Sequence, residues 1–113
     1  MPTPRPYADE VKRVRALGVD TGDIATATGA RVGTVTSWAR ATRQPSVPFR
    51  DRLLELTSIV DRLSETMDPG YVPIWLNKPL RALGDERPLV ALGKGRYRDV
   101  SKLVAELEND SFS

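Results

Sequence analysis

The side chains best placed to do chemistry in this 113-residue chain fall into two groups. The first is Arg31, Gly33, Thr34, Thr36, Ser37 and Arg40, with Arg43 just beyond: hydroxyls and guanidiniums without one acid among them. Guanidiniums bond phosphates and guanine edges, and hydroxyls bond phosphates or base edges, so one helix face carrying them suits the groove of a duplex. The second group lies near the C-terminus. Lys94, Arg96 and Arg98 form a basic cluster, followed by the acids Glu106, Glu108 and Asp110 and then by Phe112. Such a sequence of charges suits contact with another protein, and a solvated terminus would carry it equally well.

Neither group is a catalytic set. The chain has no histidine and no cysteine, which excludes Cys/His zinc sites, disulfides, thiol chemistry and histidine-based acid–base catalysis. Asp85 and Glu86 are adjacent carboxylates before Pro88 and read as an exposed turn, with no nucleophile or base beside them. Gly93-Lys94-Gly95 has the look of a phosphate loop but follows no strand, so it reads as a turn between helices. No catalytic residue, cofactor or metal is expected, and the chain is read as not an enzyme. No apolar run reaches membrane-spanning length and the start, MPTPRPYADE, lacks the apolar core of a signal peptide. A cytoplasmic protein without membrane contact is expected. The net charge of +2 is unevenly spread. Residues 1–45 carry seven Lys/Arg against four Asp/Glu (+3), and residues 46–113 carry ten against eleven (−1), so the basic half contains the first group.

The elements that must position these groups read as all-α. Met1 to Pro6 holds three prolines and is expected to be a non-helical arm, from which Arg5 could reach a phosphate. Tyr7, Val11, Val14 and Leu17 space out a first helix to Gly18, with Lys12, Arg13 and Arg15 outside. Asp20, with Asp23 three residues on, caps a second helix. Gly29 ends it, and Ala30, Val35 and Trp38 of a third helix face Ile24 and Ala25, where a small side chain lets the two helices approach. This is helix-turn-helix spacing, although a plain helical hairpin would show it too. The loop after Trp38 adds Arg40, Arg43 and Gln44, which read equally as backbone contacts or as an ordinary solvated loop.

Ser46-Val47-Pro48 starts the longest helix, expected to reach Thr66 before Asp68-Pro69-Gly70. Its stripe of Phe49, Leu53, Leu56, Val60, Leu63 and Met67 spans the junction between the two halves; Leu54 and Ile59 beside it read as core or as an extension toward a second copy. Beyond Tyr71, prolines and glycines divide the chain into short helices at about 71–76, 79–83 and 88–92. An amphipathic helix follows from Asp99 to Glu108, with Val100, Leu103, Val104 and Leu107 on one face. The expected architecture is an N-terminal helix-turn-helix bundle, a connecting helix and a C-terminal cluster of short helices. Its segments are an arm at 1–6, a DNA-binding unit at 7–45, a connector at 46–68 and a partner-binding unit at 69–113.

Ala25, Gly29, Val35, Trp38 and Pro45 follow the spacing of the Xre/Cro-type DNA-binding domain, which the front half resembles. Arg31 stands where that family usually has a Ser or Thr cap, and Gly33 weakens the recognition helix by about 1 kcal/mol relative to alanine. In the second half Trp75-Leu76, Pro79, Leu83-Gly84, Pro88-Leu89, Leu92, Gly95 and Val100 are similar in order and spacing to the toxin-binding domain of the Xre/MbcA/ParS antitoxins. Asp85 departs from it, since that family often has a second glycine there. Together the resemblances cover about residues 7 to 108.

The resemblance implies an antitoxin of a type II pair. Its C-terminal part would cover access to the active site of a toxin from the adjacent gene, commonly a RES-domain, NAD-consuming protein. Its N-terminal part would bind operator DNA and repress the shared operon, as a homodimer or within a toxin–antitoxin assembly. DNA contacts are expected from Arg31, Gly33, Thr34, Thr36, Ser37, Arg40 and Arg43, and toxin contacts from Trp75, Lys94, Arg96, Arg98, Glu106, Glu108 and Phe112. The acidic end would approach a pocket made positive for a pyrophosphate, with Phe112 as an apolar plug; a frayed, soluble end is the alternative. Other readings are a stand-alone regulator with a C-terminal dimerisation domain and an interaction module whose helix-turn-helix no longer reads DNA.

Overall fold

Asp20 starts α2 (Thr21–Thr28) with a reciprocal cap: its carboxylate accepts the Asp23 N–H at 2.8 Å, while that of Asp23 accepts the Asp20 N–H at 3.2 Å. The computed structural model describes residues 6–111. Before α2 lies α1 (Pro6–Ala16), and after it come α3 (Val32–Ala39), α4 (Val47–Thr66), α5 (Val72–Leu76), α6 (Pro88–Gly93) and α7 (Tyr97–Ser111). Two 3₁₀ turns, Pro69–Tyr71 and Arg81–Leu83, flank α5. Among the described residues the architecture is all-α, and one isolated antiparallel bridge, Leu80 to Glu86, is its only β-type pairing. No helix among them is long and apolar enough to cross a membrane.

α4 is the axis of the molecule and packs against α1, α2, α5, α6 and α7. Leu53, Leu56, Val60 and Leu63 are fully buried, as their spacing requires, with Phe49 and Met67 half-buried at the ends of the stripe. Ile59, which reads in the sequence as either core or a contact for a second copy, is core. It is fully buried, because neighbours cover α4 on several sides, and it is no contact for a second copy; Leu54 remains 44% exposed. The two halves also meet directly, since α2 packs on α6. A Cβ on Gly93 would lie 2.4 Å from the Thr26 carbonyl oxygen, so only glycine permits this approach. Asn77, which ends α5, donates to the Asp23 carboxylate at 3.3 Å and accepts from Arg87 at 3.0 Å, tying the α2 cap to the second half.

Several boundaries differ from the sequence reading. Pro6, expected in the non-helical arm, is instead the first residue of α1, a position that needs no amide hydrogen. Arg5 lies outside the described residues. The piece expected at 79–83 is only the 3₁₀ turn. α7 runs from Tyr97 to Ser111, longer at both ends than 99–108. Its acidic residues therefore sit on a regular helix, which corrects the idea of a frayed end as far as Ser111.

Candidate functional site

The turn between α2 and α3 is set by Gly29, whose φ of +79° costs glycine nothing, and by Thr28. The Thr28 hydroxyl donates to the Ile24 carbonyl at 2.7 Å and accepts the Ala30 N–H at 3.3 Å. Arg31 then occupies the N-cap position of α3 in extended conformation without a capping side-chain bond. Val35, Trp38 and Ala39 are buried beneath the helix, and the Trp38 ring meets Phe49 at 5.8 Å between centroids.

On the outer side Arg31, Gly33, Thr34 and Ser37 line an open concavity of about 490 Å³ together with Thr42 and Arg43. Thr36 and Arg40 do not line it. At about 100° per residue Thr34 and Thr36 lie some 160° apart around the helix, so they flank opposite sides of the exposed face. The Thr36 hydroxyl is bound to the Val32 carbonyl at 3.1 Å, and Arg40 is exposed beyond. The Ser37 hydroxyl donates to the Gly33 carbonyl and that of Thr42 to the Ser37 carbonyl. Each hydroxyl thus spends its one hydrogen within the protein and keeps acceptor capacity only, in a concavity bordered by two arginines.

Thr42 was missed by sequence reasoning. It is placed by a Schellman ending of α3: the Ala41 N–H bonds the Trp38 carbonyl and the Thr42 N–H bonds that of Ser37, both at 3.0 Å. Ala41 takes the left-handed position, φ +60°, where glycine is usual. A glycine there would have announced the turn.

The second group is dispersed by internal pairing. Lys94 binds Glu86 at 3.0 Å; Arg96 binds Asp99 at 3.0 Å and the Leu83 carbonyl at 3.3 Å; Arg98 is exposed and in no ion pair among the described residues. The Glu108 carboxylate accepts from Arg62 at 2.7 and 3.2 Å, and Arg62 also donates to the Ser101 hydroxyl. That guanidinium holds the Glu108 carboxyl below the ordinary glutamate range. Glu106 points to the other side of α7, where it lines a groove with Trp75. Phe112 lies outside the described residues.

The groove consists of three concavities that share residues. Trp75 joins one of about 320 Å³, lined also by Met67, Tyr71, Ile74 and Lys78, to one of about 270 Å³ against Leu103 and Leu107 of α7. Ala82, Leu103 and Glu106 join the latter to a third, of about 200 Å³. Tyr71 and Ile74 are 62% and 60% exposed. Sequence reasoning singled out Trp75, Glu106 and Asp110 here and did not join the rest to them. The signal was present in Tyr71–Leu76, where a one-turn helix buries Val72 and Leu76 and leaves Tyr71 and Ile74 outside. Just after the Arg81–Leu83 turn, Gly84 and Asp85 are both left-handed, at φ +70° and +64°. The departure at Asp85 thus falls where glycine fits without strain. Among the described residues no cluster of three or more Asp/Glu could hold a metal ion.

The chain is 32% identical over 90 residues to the probable mycobacterial cidal antitoxin Rv3188 of Mycobacterium tuberculosis, covering 80% of this chain and 76% of that one. It belongs to the mycobacterial cidal antitoxin family. It is also 23% identical over 99 residues, 88% of each chain, to the mycobacterial cidal antitoxin MbcA of Mycobacterium bovis. No family model and no solved structure matches it. Once its internal ion pairs are set aside, this antitoxin has two surfaces of different chemistry: a polar, basic concavity on α3 and an apolar groove between α5 and α7.

Proposed function

We propose that this antitoxin neutralises a toxin encoded beside it by covering access to the toxin's active site, and that it binds operator DNA to repress the operon they share. The family relationship supports the first role. The observation that carries the second is the acid-free concavity, in which Arg31 and Arg43 border Gly33, Thr34 and Ser37. The proposed partner is a RES-domain, NAD-consuming toxin, following the resemblance of the second half. Residues 7–45 form the Xre-like DNA-binding unit, 46–68 the connector and 69–113 the toxin-binding unit, all acting in the cytoplasm. Arg31, Thr34 and Arg43 face the duplex, Thr36 and Arg40 contact its flanking backbone, and a homodimer presents two such faces to repeated half-sites. Trp75, Glu106 and Arg98 are the toxin contacts whose side chains stay most available; Lys94, Arg96 and Glu108 also brace the fold, and Phe112 remains the proposed plug.

The test is to express the neighbouring gene's product with and without this chain, following viability and cellular NAD. Fluorescence anisotropy on the upstream DNA, against random sequence, tests repression. Rescue of viability and NAD together with specific DNA binding supports both roles. A neighbour harmless on its own, beside intact DNA binding, would point to a stand-alone regulator with a C-terminal dimerisation domain.

A further inference from the structure

The groove between α5 and α7 has an apolar floor and two walls of unlike charge. The α7 wall carries Asp99, Glu106 and Asp110, with Lys102 among them; the facing wall carries Lys78 and Arg81. Glu106, Lys78 and Arg81 take part in no ion pair among the described residues, so these charges are available to an occupant. Tyr71 and Ile74, both more than half exposed, continue the floor beyond Trp75. Adjoining apolar side chains rimmed by opposite charges mark a contact surface rather than scattered exposure.

We infer that this groove receives an amphipathic helix of the cognate toxin. Its apolar stripe rests on Tyr71, Ile74 and Trp75, its basic edge faces α7, and its acidic edge faces Lys78 and Arg81. The inference rests on the antitoxin reading and deepens it. A second copy of this chain is the competing occupant, since a two-fold contact can seat a helix of each copy in the groove of the other; the toxin is preferred because the relatives are named antitoxins, which implies a toxin partner. Helices and a 3₁₀ turn form the walls and offer no open strand edge, so the occupant docks through side chains, as a helix in a groove does.

The experiment uses the full chain and the purified product of the adjacent gene. The double variant Tyr71→Glu/Ile74→Glu is expected to weaken their complex by about 100-fold, with the thermal melt and operator affinity unchanged. Lys78→Glu and Glu106→Lys are each expected to weaken it by about tenfold. Toxin affinity within about threefold of wild type in the double variant overturns the inference while leaving the antitoxin reading intact. So does a wild-type dimer that the double variant turns into monomers at unchanged toxin affinity, because the groove then holds a second copy. A wild-type chain that does not bind the toxin overturns the inference and the antitoxin reading together. Should the double variant melt early, hydrogen exchange of the wild type decides: toxin-dependent protection over 69–82 and 99–110 supports the inference, and protection confined elsewhere overturns it.

Discussion

Gly33→Ala should move stability and DNA affinity in opposite directions. Gly33 is the second residue of α3, is exposed, and lines the concavity; a Cβ built on it meets nothing within 4 Å. The fold therefore has no steric use for glycine there. Replacing it stiffens the unfolded chain and favours the helix by about 0.5 kcal/mol, the low end of the interior range because the site lies in the first turn. For a domain of this size that raises Tm by about 2–4 °C. If Gly33 lets the DNA backbone or a base edge come close, the new methyl group occupies that space. Loss of one close contact at about 1.4 kcal/mol weakens specific binding about tenfold. Differential scanning fluorimetry and anisotropy on operator and random DNA, each at two salt concentrations, read both effects. A raised Tm with unchanged operator affinity would refute the assignment of this face to DNA. A lowered Tm would refute the claim that the glycine is structurally idle.

Gly93→Ala should lower stability by about 2–3 kcal/mol, because its Cβ meets the Thr26 backbone carbonyl at 2.4 Å and α6 must then shift off α2; a thermal melt falling by about 10 °C checks it. Ala41→Gly should stabilise the chain by about 0.5–1 kcal/mol by relieving the left-handed strain that ends α3, measured by urea unfolding. Glu108→Gln should destabilise the chain near neutral pH but not in acid. Arg62 holds the folded carboxyl below its unfolded value, so its contribution is present above about pH 4.3 and is lost as pH falls through the folded value. Melts of both proteins from pH 7 to pH 3 should converge at the acid end. Arg43→Ala should weaken binding to operator and random DNA alike and reduce the salt slope by about one, read by anisotropy.

Local signals in the chain carried most of the architecture. The Asp20 cap, the glycine stop at Gly29, the buried Trp38 and the one-sided face of α7 each depend on residues within a turn or two, and each forms as its spacing requires. What depends on distant partners was not legible. Ile59 is buried because α4 has neighbours on several sides, whereas periodicity along one helix left it between the core and a second copy. Lys94, Arg96 and Glu108 read as free charges, and only the fold brings Glu86 and Arg62 to two of them; Asp99 was close in sequence to Arg96 and gave a local signal that was overlooked. The groove joins Tyr71 and Ile74 to Leu103 and Glu106, residues some thirty positions apart that only the folding of α7 beside α5 brings together. Thr42 escaped notice for a simpler reason, since alanine stands at the left-handed position where glycine would have marked the turn.

The measurement that bears most directly on the antitoxin reading is the NAD content and viability of cells expressing the neighbouring gene's product alone, with the wild-type chain, and with its Arg31→Ala/Arg43→Ala and Tyr71→Glu/Ile74→Glu variants. Two separate surfaces predict rescue by the wild type and the arginine variant, and none by the groove variant. Collapse of viability and NAD in the presence of the wild-type chain would contradict the antitoxin reading; equal rescue by all three would contradict only the assignment of the groove to the toxin.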